Sequence, residues 1–307
     1  MSQGFGMYGV GLLVDVEGDD EYSAGEMVQG AALFGQGILA DLEGADKYKA
    51  KLYALGFGMT KGMGLIADAK GKDSYSVTGA YPSTYGTKGE WHAMSMGFAL
   101  GFRIFAAAGI GIITDFEGDD TYTCGEFGLG GGYFYGLGIV HDRGGNDKYA
   151  ASRYGLATSA HMGLGCVMDD KGDDAYFGRS VANQAGVWDL GIVALIDGAG
   201  NDMYTGTGLC QGSATITSFA ALVDAGGDDV FKATKSNVQG WGGHKQDADR
   251  GTHSFGFLLN FGGSDKYLIN DEPAPDRGED DVFVHTGKHK DKVTGYGILW
   301  DTKKKYR

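Results

Sequence analysis

Gly136-Leu137-Gly138-Ile139-Val140-His141-Asp142-Arg143-Gly144-Gly145-Asn146-Asp147-Lys148-Tyr149 is one instance of a phrase that runs through the whole chain. Its general form is Gly-x-Gly-x-Φ-x-Asp-x-x-Gly-x-Asp-x-Tyr, where Φ is Leu, Ile or Val. Working outward, the first Asp recurs as Asp15, Asp41, Asp68, Asp115, Asp142, Asp169, Asp197 and Asp224, with Asn260 in its place in the ninth copy. The second, five places on, never fails: Asp20, Asp46, Asp73, Asp120, Asp147, Asp174, Asp202, Asp229 and Asp265. Two places further stands an aromatic: Tyr22, Tyr48, Tyr75, Tyr122, Tyr149, Tyr176, Tyr204, Phe231 and Tyr267. The unit is 27 residues, and the two longer intervals between first Asp positions, 47 and 36, mark insertions near 79–100 and 236–252. A tenth, truncated copy reads Gly295-Tyr296-Gly297-Ile298-Leu299-Trp300-Asp301, with Lys303, Lys304 and Lys305 where the turn would be.

Such a short unit has no room for an ordinary helix beside two strands. It predicts one coil of an all-β, parallel β-solenoid of nine full copies and one truncated copy. The solenoid would span 1–267, with an irregular cap and the last repeat at 268–307. Stacked coils place equal positions about 4.8 Å apart, so the aromatics become a ladder and the Asp residues become columns. Repeated Gly in the strand before the turn implies close backbone approach. The alternating residues there, such as Leu137 and Ile139, are also apolar, so that strand needs a cover on both faces. The expected cover is the coil itself on the Gly side and self-association through a flank on the other.

The turn Gly198-Ala199-Gly200-Asn201-Asp202-Met203-Tyr204-Thr205-Gly206 resembles the calcium-binding nonapeptide turn of the RTX family, and Gly144-Gly145-Asn146-Asp147 and Gly226-Gly227-Asp228-Asp229 look like the same turn. The likeness covers about nine residues per copy, and RTX turns recur every nine residues where these recur every 27. It therefore implies a turn-level similarity, with calcium as the candidate cofactor and the seventeen column Asp residues as candidate ligands. Independently of it, like charges about 5 Å apart repel by about 3 kcal/mol at an effective dielectric near 20, so the columns need a partner. Either backbone N–H groups in Asx turns or calcium would serve. Asn146 lies outside both columns.

A formal charge of −14, from 40 acidic and 26 basic residues, argues against nucleic acid as a partner. All of that excess acidity sits in the columns. With 42% hydrophobic residues the chain can bury a core. Cys124, Cys166 and Cys210 form no complete disulfide framework. Gly4-Phe5-Gly6-Met7-Tyr8-Gly9 fits a dinucleotide fingerprint literally but has no βαβ context, and no Walker, HExxH, CxxC or GxSxG motif occurs. Enzymatic activity is not indicated.

The insertions carry the other candidate binding residues, because function collects on loops of a rigid scaffold. These are Tyr81, Tyr85, Glu90, Trp91 and His92 in the first and Trp241 and His244 in the second. Three functions compete. The leading one is a structural or adhesive scaffold, calcium-stabilised, in a secreted or surface-exposed assembly and part of a longer array. A carbohydrate-binding or carbohydrate-cleaving β-helix would use the insertions, with polysaccharide as partner, Trp faces on sugar rings and Glu90 or His92 as acid or base. An outer-membrane β-barrel is the third.

Overall fold

The computed structural model describes residues 3–278 and 280–303, so Lys304 and Lys305 of the truncated turn lie outside the described residues. Each copy forms one coil. Its first side is a long strand such as Leu137–Asp142, and its second, beyond the Gly/Asp turn, is a short strand such as Lys148–Ala151. The third side, here called the flank, is irregular with strands of two to four residues such as Thr158–Ala160. Long strands stack in parallel and in register, Leu137 beside Ile110 and Leu164, Asp142 beside Asp115 and Asp169. Ten of them, from Val10–Val14 to Lys292–Thr302, build the first sheet, closed at its end by the antiparallel Val282–His289. Nine short strands, Glu21–Ser23 to Lys266–Ile269, build the second, closed by antiparallel Glu272–Pro273. The cap, expected to be irregular, thus contributes two strands that reverse direction and pair the last exposed edges, a usual way of blunting an edge.

Neither sheet returns to its own first strand, and apart from the two closing strands their neighbours run parallel. Hairpins would give antiparallel pairs, so the membrane-barrel alternative is overturned.

Alternation decides which residues fill the coil. In Leu137–Asp142 the buried side chains are Gly138, Val140 and Asp142, and Leu137, Ile139 and His141 face outward. Gly138 is needed because a Cβ there would lie 2.1 Å from the carbonyl oxygen of Gly131 on the flank. In the turn, a Cβ on Gly145 would lie 1.3 Å from the Gly118 carbonyl oxygen one coil back, which no larger residue survives. Val140 and its counterparts meet the aromatic ladder to form the main core. Nine rings stack with centroids 4.6 to 5.2 Å apart and planes within 9° of parallel.

Candidate functional site

The turns bring both Asp columns inside the coil, and every column Asp from Asp41 to Asp229 is at most 2% exposed. Asp15 and Asp20, in the first coil, are half-buried. A buried carboxylate must be compensated, and the two columns obtain this differently. In the first, Oδ2 accepts the hydroxyl of the tyrosine one coil earlier, at 2.5 to 2.8 Å from Tyr22–Asp41 through Tyr204–Asp224. In the second, Oδ1 accepts the backbone N–H of its own counterpart one coil earlier, at 2.5 to 2.8 Å from Asp20–Asp46 through Asp229–Asp265.

The two exceptions in the sequence pattern confirm this chemistry. Phe231 has no hydroxyl to donate, and the position it would donate to is Asn260, which carries no carboxylate needing one. Asn260 instead donates to the Tyr267 hydroxyl at 3.0 Å, and Tyr267 donates on to Asp301 at 3.0 Å.

Asx turns account for part of the remaining demand. Oδ1 of Asp68, Asp142, Asp169, Asp197 and Asp224 accepts the N–H two residues on, at 3.0 to 3.2 Å. Left over, buried and without a hydrogen-bond partner, are Oδ1 of Asp41 and Asp115 and Oδ2 of Asp46, Asp73, Asp120, Asp147, Asp174, Asp202, Asp229 and Asp265. Three carboxylates at a time, such as Asp41, Asp46 and Asp68 or Asp147, Asp169 and Asp174, bring oxygens within 4.8 Å of one another, and the described residues hold seven such clusters.

Burial pushes the carboxyls up from their ordinary range, and mutual repulsion adds to it. Asp46 and Asp265 rise to about 6 and Asp73 to about 7 despite the backbone N–H each accepts. Asp142, Asp197 and Asp224 rise as well, desolvation being the main cause. Within one copy the two carboxyls lie close enough to share a hydrogen bond, as in Asp115 with Asp120 and Asp169 with Asp174. The arrangement can therefore do two things: hold cations, or hold protons shared between neighbours.

Two more columns lie outside the fixed positions of the repeat phrase. Asn146 belongs to an exposed outer ladder: its N–H donates to Asp119 at 3.0 Å, and its Oδ1 accepts the N–H of Asp173 at 2.9 Å. Asn201, Asp228 and Ser264 continue it. The inner ladder donates from each coil to the following one, and the outer ladder donates backward. At the flank corner, Gln29, Gln184, Gln211 and Gln239 adopt positive φ of 51 to 56°. Their side-chain amides donate to a backbone carbonyl of the short strand before them and, for the first three, to one of the next coil's short strand as well, Gln184 to Tyr176 and Thr205 at 2.9 Å each. A repeated Gln-Gly or Gln-Ala pair seven or eight residues after the aromatic was the available signal.

The insertion candidates separate. Tyr81 donates its hydroxyl to Glu26. Glu90 is held by both Nε and Nη2 of Arg179 at 3.0 to 3.2 Å, and that guanidinium lies 4.8 Å from the centre of the Trp91 ring. Both residues thus brace the insertion against a coil. His92 and Tyr85 line a flank cleft of about 510 Å³ with Tyr133, Tyr154, His161 and Trp188. Burial pushes the His92 imidazole below its usual value. Trp241 and His244 line a separate cavity of about 270 Å³ with His285. Trp91 and Trp241 do not share a groove. Contact between the two cavities runs through Trp188, whose ring centre is 5.3 Å from that of His244. Compared with known proteins, the chain matches no family model, no curated protein and no solved structure.

Proposed function

We propose that this protein is a structural scaffold, a stiff β-solenoid in a secreted or surface-exposed assembly, whose inner Asp columns bind divalent cations. The observation that carries the cation reading is that buried column carboxylates gather in threes, most of these clusters including two Asp residues with an oxygen that lacks a hydrogen-bond partner. Calcium suits them, being a hard cation that takes only oxygen ligands at about 2.4 Å, half the 4.8 Å limit within which each cluster gathers. Charge points the same way: seven divalent ions would offset the formal −14 of the chain. The scaffold part rests on the repeat itself, which spends nine full coils on contacts between equal positions.

Elemental analysis of protein purified without chelator, with melting curves in EDTA and in added calcium, tests the proposal. Several bound calcium ions per chain and a melting temperature that falls in EDTA are expected. Metal-free protein with an unchanged melting curve would leave shared protons as the device that neutralises the columns.

A second reading, glycan binding, is favoured by the flank cleft, where Tyr85, Tyr133, Tyr154 and Trp188 offer aromatic surface beside His92 and His161. Retention of the protein on polysaccharide resins, lost in Trp188→Ala, tests it. No retention on any neutral or acidic glycan removes it.

A further inference from the structure

Three outward positions on each of the eleven strands of the first sheet make a face of thirty-three residues, running from Val10, Leu12 and Val14 to Val282 and Val284. Not one is Asp, Glu, Lys or Arg, and four are polar: Gln36, Thr114, His141 and Thr286. All are half-buried or exposed. Exposure reaches 55% at Ile192, 40% at Phe219 and 41% at Trp300. At roughly 4.8 Å between strands and 3.3 Å per residue, the face measures about 48 by 13 Å, or roughly 600 Å² in projection. Soluble monomers rarely leave so large an apolar patch open.

We infer that this face docks a second copy of the same chain, face to face, in an isologous dimer. Size argues for it: with side-chain relief the patch approaches the ~800 Å² per partner of a stable protein–protein interface. Charge argues for it as well. A partner must bury its own surface against thirty-three positions that hold no Asp, Glu, Lys or Arg, and a second copy of the same face brings none to them. Two such sheets pack about 10 Å apart, as in a β-sandwich.

Symmetry then fixes the centre. A two-fold axis relating opposed faces lies in the interface plane, along the stack or across it. With full overlap, either axis brings the middle of one face onto the middle of the other. The middle strand of eleven is Leu164–Asp169, and the middle of its three outward residues is Cys166. Cys166 is half-buried in the chain, and Cys124 and Cys210 are fully buried. A maleimide therefore reports on the face through one thiol.

The experiment measures mass by sedimentation equilibrium at micromolar concentration, together with maleimide labelling of Cys166. The wild type is expected at twice the 32.3 kDa chain mass, with Cys166 protected. Ile139→Glu and Ala194→Glu, one strand to either side of Cys166, should each halve the mass and release one reactive thiol per chain, with an unchanged far-ultraviolet spectrum. A monomeric wild type overturns the inference whatever the variants do. So does a wild type whose Cys166 labels as fast as in the variants. A monomer that floats with phosphatidylcholine vesicles assigns the face to lipid and overturns it too. None of these readings depends on metal.

Discussion

The turn edge and the flank belong to the same coils but follow different rules. At the turn edge the neighbour of each side chain is its own counterpart: ring on ring at 4.6 to 5.2 Å, carboxylate on the equivalent N–H one coil away. On the flank, contacts join unlike residues over uneven distances. Glu90 reaches 89 residues to Arg179, and buried Glu126 accepts the Thr84 hydroxyl and N–H of the first insertion at 2.9 Å. A contact between equal positions constrains every copy at once, because a change in one coil spoils two interfaces. A contact between unlike positions constrains just its two members, so the flank is free to carry insertions and aromatic clefts.

The largest expected effect lies in the ladder. Tyr149→Ala removes a fully buried ring stacked on both sides and takes the hydroxyl donor from Asp169. It should cost about 3 to 5 kcal/mol, seen as a fall in thermal or denaturant midpoint. A cost no larger than that of a flank substitution would erase the contrast between the two regions.

Next comes the ion. At a calcium concentration a hundredfold above Kd, binding to the folded state alone adds about 2.7 kcal/mol, which EDTA should remove. The pH dependence sharpens the test. In metal-free protein Asp73 binds its proton up to about pH 7 when folded, against an ordinary value of 3.8, chiefly because of burial. Its folded value is raised, so stability is complete below about pH 4 and drains away as pH climbs toward 7. Melting temperatures in EDTA should therefore fall from pH 4 to pH 7, and calcium should flatten or invert the slope. A rising profile in EDTA would mean that the columns are ionised and compensated by the protein alone. Asp147→Asn separates the readings further: it is tolerated if the column holds protons and damaging in calcium if Asp147 is a ligand.

Smaller effects belong to the outside. Asn146→Ala deletes exposed ladder bonds and should cost about 0.5 to 1.5 kcal/mol, less than the ring. Trp188→Ala, at a residue 37% exposed on the flank, should change stability by about 0.5 kcal/mol or less. If Trp188 proves as costly as Tyr149, the flank is as constrained as the turn edge.

What the sequence revealed follows from the same contrast. Asp142, Asp147 and Tyr149 were legible because nine copies repeat their chemistry, and so were the coil, its parallel order and both insertions. The Gln29, Gln184, Gln211 and Gln239 corner was not, because Leu55, Met96, Leu129 and Leu156 hold equivalent positive-φ positions and hide the column behind mixed chemistry. The outer ladder through Asn146 is hidden in the sequence because Asp and Asn alternate there, either of which supplies an acceptor oxygen. Nor does spacing reveal that Glu90 meets Arg179, a contact made once across several coils.

Coils that bond through equal positions can be counted out or in without breaking the two sheets, the ring ladder or the Asp columns, whatever the flank loses. Removing residues 142–168 would join His141 to Asp169, give the Tyr122 hydroxyl the same acceptor it now finds in Asp142, and return every later strand to its register. Losing a single residue from a long strand would turn its buried set outward. A gene of this kind tolerates slippage by whole units and punishes every other step, so the length of the rod is its easiest property to inherit in altered form.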